Sequence, residues 1–309
     1  MDLTGHFEGK NIISFRDLTK DEIEYILLKA FEVKNKQHEN ALCGKVLATL
    51  FFEPSTRTRL SFEAAITSIG GRFFGIADSS SSSIMKGETL KDTIKTVSGY
   101  CDAIIMRHPY EGAARAAADV SSVPIINAGD GANQHPTQAL LDLFTIKETF
   151  GSIDGLNIGL MGDLKYGRTV HSLSMALAHY NVKLTLISPK LLKMPKDVKE
   201  HLKSQNVTYS EIDSINEECS KLDMIYVTRI QKERFGDLQE YERVAGSYKI
   251  SKATLADLNP NVKIMHPLPR VDEIDPDVDD TPNALYFHQA HNGIPVRQAL
   301  VSLVTGAIK

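Results

Sequence analysis

The sequence predicts an α/β protein built from two doubly wound parallel-sheet domains. Short apolar runs of strand length alternate with helix-forming stretches along the chain, a pattern typical of parallel sheets covered by helices on both faces. The chain has 309 residues, more than a single hydrophobic core usually spans. A break containing two glycines at residues 151–155 separates two such series. These three observations favour two domains.

The first series opens with a helix. Thr19 and Glu22 are spaced as a capping box, and apolar residues follow them at helical intervals. Apolar runs predict strands at residues 45–52, 103–106 and 124–127. Further helices are predicted at residues 57–69, which end at two glycines, and at residues 136–150, which begin with a proline.

The second series repeats the alternation after the break. Strands are predicted at residues 156–161, 183–187, 224–227 and 263–265, and helices at residues 169–179 and 295–308. A single TIM barrel is the structural alternative. Such barrels commonly hold phosphate after their seventh and eighth strands. The best phosphate motif here follows an early strand, which weighs against a barrel.

Composition excludes several classes of protein. A net charge of −4 favours neither nucleic acid nor a membrane surface as a partner. Cys43, Cys101 and Cys219 are widely spaced and form no C-x-x-C pair, which argues against a disulfide framework or a structural zinc site. No signal peptide is visible, and the notable apolar run at residues 46–52 is too short to cross a bilayer. We therefore expect a reduced, cytoplasmic protein.

The first candidate site is the segment Glu-Pro-Ser-Thr-Arg-Thr-Arg at residues 53–59, where a strand ends and a helix begins. A helix N-terminus presents free N–H groups and a partial positive charge. Ser55, Thr56 and Thr58 add hydroxyl donors there. Arg57 adds a planar guanidinium that suits phosphate oxygens. A plain helix cap needs only one such residue, so the segment predicts a phosphate site.

Polar residues also follow two later strands of the first series. Arg107 comes directly after the strand predicted at residues 103–106, and His135 and Gln138 lie in the segment that joins a strand to the helix predicted at residues 136–150. Ligands bind outside the carboxyl ends of parallel strands, so these three side chains are candidate ligand contacts. The alternatives are a surface arginine and an ordinary polar helix cap.

A run of five serines at residues 79–83 precedes Lys86. On composition alone it reads as a solvated linker. The functional alternative is a lid that delivers Ser83 and Lys86 to an anion.

Residues 162–169 read Gly-Asp-Leu-Lys-Tyr-Gly-Arg-Thr, close to the phosphate-loop pattern of nucleotide-binding proteins. Arg168 replaces the lysine of that pattern, and Lys165 and Tyr166 crowd a loop that should cradle phosphates. A nucleotide-binding protein therefore remains as a rival enzyme class.

Two strand ends of the second series carry further candidate ligand contacts. Arg229, Gln231 and Arg234 follow its third strand and suit recognition of a carboxylate. The segment His-Pro-Leu-Pro-Arg at residues 266–270 follows its fourth strand. Its two prolines predict an extended turn whose carbonyls can accept from a ligand amide. The alternatives are a charged helix start and a rigid connector.

In combination, these segments resemble the catalytic chains of aspartate carbamoyltransferases over nearly the whole sequence. Six segments occur in the same order along the chain as in that family: S-T-R-T-R, R-H-P, Q-H-P-T-Q, G-D-L-K-Y-G-R-T-V-H, T-R-I-Q-K-E-R and H-P-L-P-R. Ornithine carbamoyltransferases share the first segment but typically carry H-C-L-P at the last, and they use a different amino-acid loop. The resemblance therefore favours aspartate.

The resemblance implies two α/β domains, with the last helix returning to pack on the first. Residues 1–136 with 293–309 would bind carbamoyl phosphate, and residues 137–292 would bind aspartate. It also implies a homotrimer with active sites shared between neighbouring chains, to which the adjacent chain supplies Ser83 and Lys86. Regulatory chains are possible further partners, and neither nucleic acid nor a membrane is implied.

The same resemblance implies a role for each matching residue. The phosphate would be held by Ser55, Thr56, Arg57, Thr58 and Arg107. The carbamoyl oxygen would be polarised by His135, Arg107 and Thr58. The carbamoyl NH2 would be held by Gln138 and the backbone of Pro267 and Leu268. Aspartate would be held by Lys86, Arg168, Arg229 and Gln231. On domain closure Glu53 would pair with Arg168 and Arg234.

The implied reaction converts carbamoyl phosphate and L-aspartate into N-carbamoyl-L-aspartate and phosphate, an early step of pyrimidine biosynthesis. The resemblance implies no metal or cofactor. The alternatives are an ornithine or other carbamoyltransferase, and a non-catalytic paralogue that serves as an assembly or regulatory partner. The intact set of Arg57, Thr58, Arg107 and His135 weighs against a paralogue.

Overall fold

The computed structural model describes residues 3–77, 87–232 and 235–309. Its contacts divide the chain into two compact units. The first unit runs up to Phe144 and also contains Asn292–Lys309, and the second unit is Thr145–His291. The sequence analysis predicted domain boundaries after residue 136 and after residue 292. These boundaries, and the substrate assigned to each domain, remain predictions.

The first unit is built around a four-stranded parallel sheet. Its strands are β1 Val46–Phe51, β2 Arg72–Ile76, β3 Ala103–His108 and β4 Ile125–Asp130. Their order across the sheet is β2-β1-β3-β4. Its helices are α1 Lys20–Lys34, α2 Thr56–Ser68, α3 Leu90–Val97, α4 Ala113–Ala118 and α5 Pro136–Phe150, the last of which continues into the second unit.

Local sequence explains where the helices of this unit begin. The Thr19 hydroxyl accepts from the amide of Glu22, and the Glu22 carboxylate accepts from the amide of Thr19, so the predicted capping box is confirmed. Thr89 caps α3 by accepting from the amide of Asp92. Helix α5 begins at Pro136 as predicted, where the missing N–H costs nothing because first-turn amides have no helical acceptor.

Two strands of this sheet differ from the sequence prediction. Strand β2 was missed because its side chains are exposed, with Phe73 40% and Phe74 37% accessible, so no buried face marks it in the sequence. Strand β3 continues to His108, which makes the prediction that Arg107 follows the strand wrong. The ladder with β1 extends to the pair Phe51 and Arg107, and that pairing holds the arginine within the strand.

The second unit contains a five-stranded parallel sheet. Its strands are β5 Asn157–Met161, β6 Lys183–Ile187, β7 Thr208–Ile212, β8 Met224–Val227 and β9 Lys263–Met265. Their order is β7-β6-β5-β8-β9. The helices that follow are α6 Arg168–Leu177, α7 Lys196–Ser204, α8 Leu238–Glu242, α9 Lys252–Ala256 and α10 Tyr286–Val304. In the described part of the chain, no helix is long and apolar enough to cross a membrane.

The last helix starts earlier than predicted. The predicted start was Pro295, but α10 begins at Tyr286 and carries Pro295 within it, although an interior proline normally ends or kinks a helix. Its C-terminal part packs on the first unit, where Gln298 Nε2 donates to Ser68 Oγ at 2.7 Å. The helix ends before Gly306, which adopts a φ of +67°. The return of the last helix to the first unit is therefore as predicted.

Each sheet reverses its strand order at one place. In the first sheet β1 and β3 are neighbours across the reversal, and in the second β5 and β8 are neighbours. Ligands of open α/β sheets bind outside the carboxyl ends of the strands at such a switch point. The predicted α/β class with two parallel-sheet domains is confirmed, and two separate open sheets exclude the TIM barrel.

Candidate active site

The switch point of the first sheet carries the predicted phosphate segment. Strand β1 ends at Phe51, and the next residues lead directly into the N-terminus of α2. Strand β3, the neighbour across the reversal, brings Arg107 to the same edge. The topology therefore places two separate predicted phosphate contacts at the ligand-binding edge of one sheet.

The N-terminus of α2 has the properties of an anion site. Ser55 occupies the N-cap position, yet within the described residues its side chain makes no capping hydrogen bond. The first turn of α2 contains no acidic residue, in contrast to α1 and α3. Thr58 is buried, whereas Thr56 and Arg57 are exposed. First-turn amides, hydroxyl groups and the helix dipole can therefore all act on a bound phosphate.

Arg59 does not share this position. Its Nη1 lies 3.7 Å from Glu63 Oε1, one turn further along the same helix. This is an ordinary i,i+4 surface pair. Of the two arginines in the segment, Arg57 is therefore the candidate phosphate contact.

Arg107 is buried and oriented by protein groups. Its Nε lies 3.0 Å from Glu53 Oε2, and its Nη1 donates to the Ala128 carbonyl at 3.5 Å. Glu53 was predicted to pair with Arg168 and Arg234 on domain closure. In this structure its carboxylate faces Arg107 instead, while Arg234 lies outside the described residues. The predicted closure role stays a prediction.

His135 and Gln138 lie where β4 leads into α5. The His135 carbonyl accepts from the amide of Gln138 at 3.0 Å, and His135 immediately precedes the first helical residue, Pro136. Gln138 lies in the first turn of α5, and its Nε2 donates to Asp142 Oδ1 at 2.9 Å. Both predicted contacts are buried and belong to the first unit, as do Arg57 and Arg107.

Asp130 organises this loop and was missed by the sequence analysis. Its carboxylate accepts from the Gly112 amide at 2.9 Å, from Asn133 Nδ2 at 3.0 Å and from the Gln134 amide at 3.1 Å. These bonds fix the backbone immediately before His135. The only sequence signal for it is an aspartate at the end of an apolar strand.

The switch point of the second sheet carries the segment that resembles a phosphate loop. The structure gives it a different design, because it folds around a buried carboxylate. The Asp163 side chain is fully buried, and its Oδ1 accepts from the Tyr166 amide at 2.9 Å. Burial raises the pKa of Asp163 above its ordinary value, and the backbone amides around the carboxylate limit the rise. A phosphate cradle needs the amides of its loop free, so the nucleotide-binding alternative is not supported.

The predicted aspartate contacts lie at this second switch point. Arg168 is the first residue of α6, directly after the loop that follows β5. Arg229 and Gln231 are half-buried and follow β8, the neighbouring strand. The Asp163 amide donates to Thr228 Oγ1 at 3.1 Å, and this bond ties the loop after β5 to the loop after β8. Guanidinium and amide groups at one sheet edge suit a dicarboxylate.

The turn after β9 departs from its predicted geometry. An extended turn was expected from its two prolines, but Leu268 adopts a left-handed φ of +55°. His266 explains the turn, because its Nδ1 accepts from the Leu268 amide at 2.8 Å. Its other nitrogen therefore carries the proton and donates to Glu273 Oε1 at 2.7 Å. The buried pair of His266 and Glu273 holds Pro267 and Leu268 in place.

Three predicted site residues, Ser83, Lys86 and Arg234, lie outside the described residues. Within the described ranges, no group of three or more His, Cys, Asp and Glu side chains could hold a metal ion. Cys43, Cys101 and Cys219 are free.

Comparison with known proteins identifies the architecture. Residues 10–148 match the family model for the carbamoyl-P binding domain of aspartate/ornithine carbamoyltransferases, and residues 154–304 match the model for the Asp/Orn binding domain. The chain belongs to the aspartate/ornithine carbamoyltransferase family. A relative from Thermococcus onnurineus, named aspartate carbamoyltransferase catalytic subunit, is 56% identical over 307 residues, 98% of this chain and 99% of the relative.

Solved members of the family have the same fold. The catalytic subunit of Methanocaldococcus jannaschii aspartate transcarbamoylase is 54% identical, with a TM-score of 0.88 over 95% of this chain and 97% of that one. The Trypanosoma cruzi aspartate transcarbamoylase, solved in complex with carbamoyl phosphate and aspartate, is 39% identical, with a TM-score of 0.91 over 97% of this chain and 98% of that one. The resemblance to aspartate carbamoyltransferases is confirmed, and these comparisons favour aspartate over ornithine.

Proposed function

We propose that this chain transfers the carbamoyl group of carbamoyl phosphate to the amino group of L-aspartate. One observation carries the proposal. The predicted phosphate segment and the predicted carboxylate segment lie at the switch points of two separate parallel sheets. They do so in a chain more than half identical, over nearly its whole length, to aspartate carbamoyltransferase catalytic subunits.

Carbamoyl phosphate binds to the first unit in this proposal. The amides and hydroxyls at the start of α2 and the guanidinium of Arg57 contact the phosphate, since that helix end has neither a side-chain cap nor an acidic residue in its first turn. Arg107 contacts both the phosphate and the carbamoyl oxygen, and Glu53 fixes the orientation of its guanidinium. The buried positions of Thr58 and His135 suit donation to the carbamoyl oxygen.

Aspartate binds to the second unit, where Arg168, Arg229 and Gln231 take its carboxylates. The cationic groups matter because a phosphate dianion and a dicarboxylate must approach each other. Two unit charges about 4 Å apart repel by roughly 4 kcal/mol at an effective dielectric constant of 20. Arginines of the protein that contact each substrate offset that repulsion, and Lys86 contributes a further positive charge.

The chemistry needs no protein nucleophile. The deprotonated amine of aspartate attacks the carbamoyl carbon, and its electron pair forms the new C–N bond while the carbonyl becomes an oxyanion. Donors aimed at that oxyanion stabilise the tetrahedral intermediate, and each contributes about 100- to 1000-fold in rate in comparable sites. The intermediate then expels phosphate, which takes the C–O bonding pair and accepts the amine proton.

The proposal has a finer part that concerns assembly and context. A homotrimer shares its sites, with Ser83 and Lys86 provided by the adjacent chain, and acts in the cytoplasm at an early step of pyrimidine biosynthesis. Mixing inactive Lys86→Ala and Arg57→Ala chains should restore part of the activity, because mixed trimers then contain some intact sites. If mixed trimers form and no activity returns, the shared site is wrong. Regulatory chains remain possible partners of the trimer.

Acceptor selectivity tests the proposed reaction. The purified chain is given carbamoyl phosphate with aspartate, with ornithine or with no amine, and both phosphate and the carbamoylated amine are measured. We expect one carbamoylated product per phosphate with aspartate, and neither above background in the other two arms. Ornithine carbamoylation, or phosphate release independent of aspartate, would contradict the proposal.

A further inference from the structure

The amide of Gln138 is held in one orientation by a carboxylate one helical turn further along α5. Gln138 Nε2 donates to Asp142 Oδ1 at 2.9 Å, and the Asp142 side chain is fully buried. A carboxylate oxygen only accepts hydrogen bonds. The NH2 group of Gln138 is therefore the end that faces Asp142, and Oε1 is the end that can face a ligand.

A buried arginine compensates the charge of Asp142. Arg297 of α10 is only 3% exposed. Burial lowers its pKa to about 10, and the opposite charge of Asp142 limits that fall. A guanidinium with this pKa is protonated at neutral pH. It supplies the positive charge that a fully buried carboxylate requires.

Helix α2 and a glycine hold Arg297 in position. Its Nη1 donates to Ser61 Oγ at 3.0 Å, and its guanidinium lies 5.0 Å from the centroid of the Phe62 ring. A Cβ atom on Gly293 would lie 2.1 Å from Nη1. Glycine at this position therefore leaves the space that the buried guanidinium occupies. All these residues, with Asp142 and Gln138, belong to the first unit.

We propose that Asp142, with Arg297 as its counter-charge, is a specificity-determining positioning residue that turns the carbonyl of Gln138 toward the substrate. The site then selects an acyl phosphate that carries an NH2 group over one that carries a methyl group. This inference rests on the proposed function, in which Gln138 contacts the carbamoyl NH2. Acetyl phosphate has the same size but donates no hydrogen bond from its methyl group, so it leaves Oε1 without a partner.

Asp142→Asn tests this directly, because asparagine can donate to Oε1 of Gln138 and so allow the opposite amide orientation. The kcat/KM for carbamoyl phosphate and the inhibition constant of acetyl phosphate as a competitor are measured at saturating aspartate. We expect kcat/KM to fall roughly 10-fold or more, as expected when a substrate N–H loses its acceptor. The inhibition constant of acetyl phosphate should change by less than about 2-fold, because its methyl group makes no hydrogen bond to lose.

A merely structural role would weaken both ligands together, so the ratio of the two constants is the deciding readout. On a Gln138→Ala background, adding Asp142→Asn should leave that ratio unchanged. Ile146→Val, a buried change on the same helix, should leave the ratio at its wild-type value. A wild-type ratio in Asp142→Asn, or an effect of Asp142→Asn that persists without Gln138, would overturn the proposal.

Gly293→Ala provides a second variant should Asp142→Asn fail to fold. It displaces Arg297 without altering the carboxylate, and we expect a smaller shift of the ratio in the same direction. No shift in a folded Gly293→Ala chain would then count against the proposal. Lack of any aspartate-dependent turnover by the unaltered chain is a different result, and it would overturn the proposed function itself.

Discussion

Removal of the Glu273 side chain should destabilise the protein and loosen the turn that holds Pro267 and Leu268. Glu273 Oε1 accepts from His266 Nε2 at 2.7 Å, and Oε2 accepts from the amides of Val271 and Asp272 at 3.0 Å and 3.1 Å. The change Glu273→Ala removes both acceptor oxygens and so all three hydrogen bonds at once. It therefore tests whether this buried pair determines the turn.

The magnitude follows from which donors lose their partner. His266 is buried, and a buried donor without an acceptor costs about 1–3 kcal/mol. Residues 271 and 272 are exposed, so water can replace the bonds to their amides at little cost. We expect Glu273→Ala to lower the free energy of unfolding by about 2–4 kcal/mol, and Glu273→Gln, which keeps an acceptor, by about half of that.

Urea unfolding followed by circular dichroism measures the free energy, and steady-state kinetics measure KM for carbamoyl phosphate. Asp272→Ala is the matched control, because it removes an exposed carboxylate beside the pair and should stay within about 0.5 kcal/mol of wild type. The reasoning fails if Glu273→Ala costs less than about 1 kcal/mol or behaves like Asp272→Ala. It also fails if a strongly destabilised variant retains the wild-type KM.

Three further predictions concern phosphate binding, pH and backbone packing. Arg57→Ala should lower kcat/KM about 100- to 1000-fold, whereas Arg59→Ala, which removes only a pair along its own helix, should change it less than about 3-fold; equal losses would contradict the assignment. Burial raises the pKa of Glu22, but hydrogen bonds from Lys10 and other donors outweigh burial and lower this pKa to about 2. The ionised Glu22 carboxylate therefore stabilises the fold above pH 4.5, and this contribution is lost as the pH falls toward about 2. In urea unfolding between pH 2 and 7, the free energy of unfolding should fall less steeply with decreasing pH for Glu22→Gln than for the wild type. The same pH dependence in both proteins would refute this. Gly162→Ala should destabilise the chain by more than about 2 kcal/mol in urea, because a Cβ there would lie 2.2 Å from a backbone oxygen at a φ of +113°; near-normal stability would refute it.

Elements with sharp local punctuation were predictable from sequence. Helix α5 begins at Pro136 as predicted, and strands β6, β8 and β9 occupy the residues of their apolar runs. Strands β2 and β7 were not predicted. A strand is recognised in a sequence by a run of apolar residues or by apolar residues at alternate positions, and both signals come from buried side chains. The side chains of these two strands are largely exposed. The predicted last helix was too short at its N-terminal end, because it was taken to begin at Pro295, which lies inside α10.

The candidate site was predictable as a set of motifs at strand ends. The sequence alone does not show which strands are neighbours, so the meeting of Arg57 and Arg107 at one sheet edge depends on the strand order. The supporting carboxylates were missed for a different reason. Asp130, Asp142 and Glu273 are buried and act through backbone amides or other side chains. An aspartate or glutamate in a sequence is ordinarily taken as exposed.

Formation of the new carbon–nitrogen bond tests the central claim most directly. The chain is incubated with carbamoyl phosphate labelled with carbon-13 and L-aspartate labelled with nitrogen-15, and the product is observed by carbon NMR. The account predicts a carbonyl signal split by one-bond coupling to nitrogen-15, with one phosphate released per coupled product. An uncoupled carbon signal from hydrolysis, or an unchanged substrate signal, would contradict it.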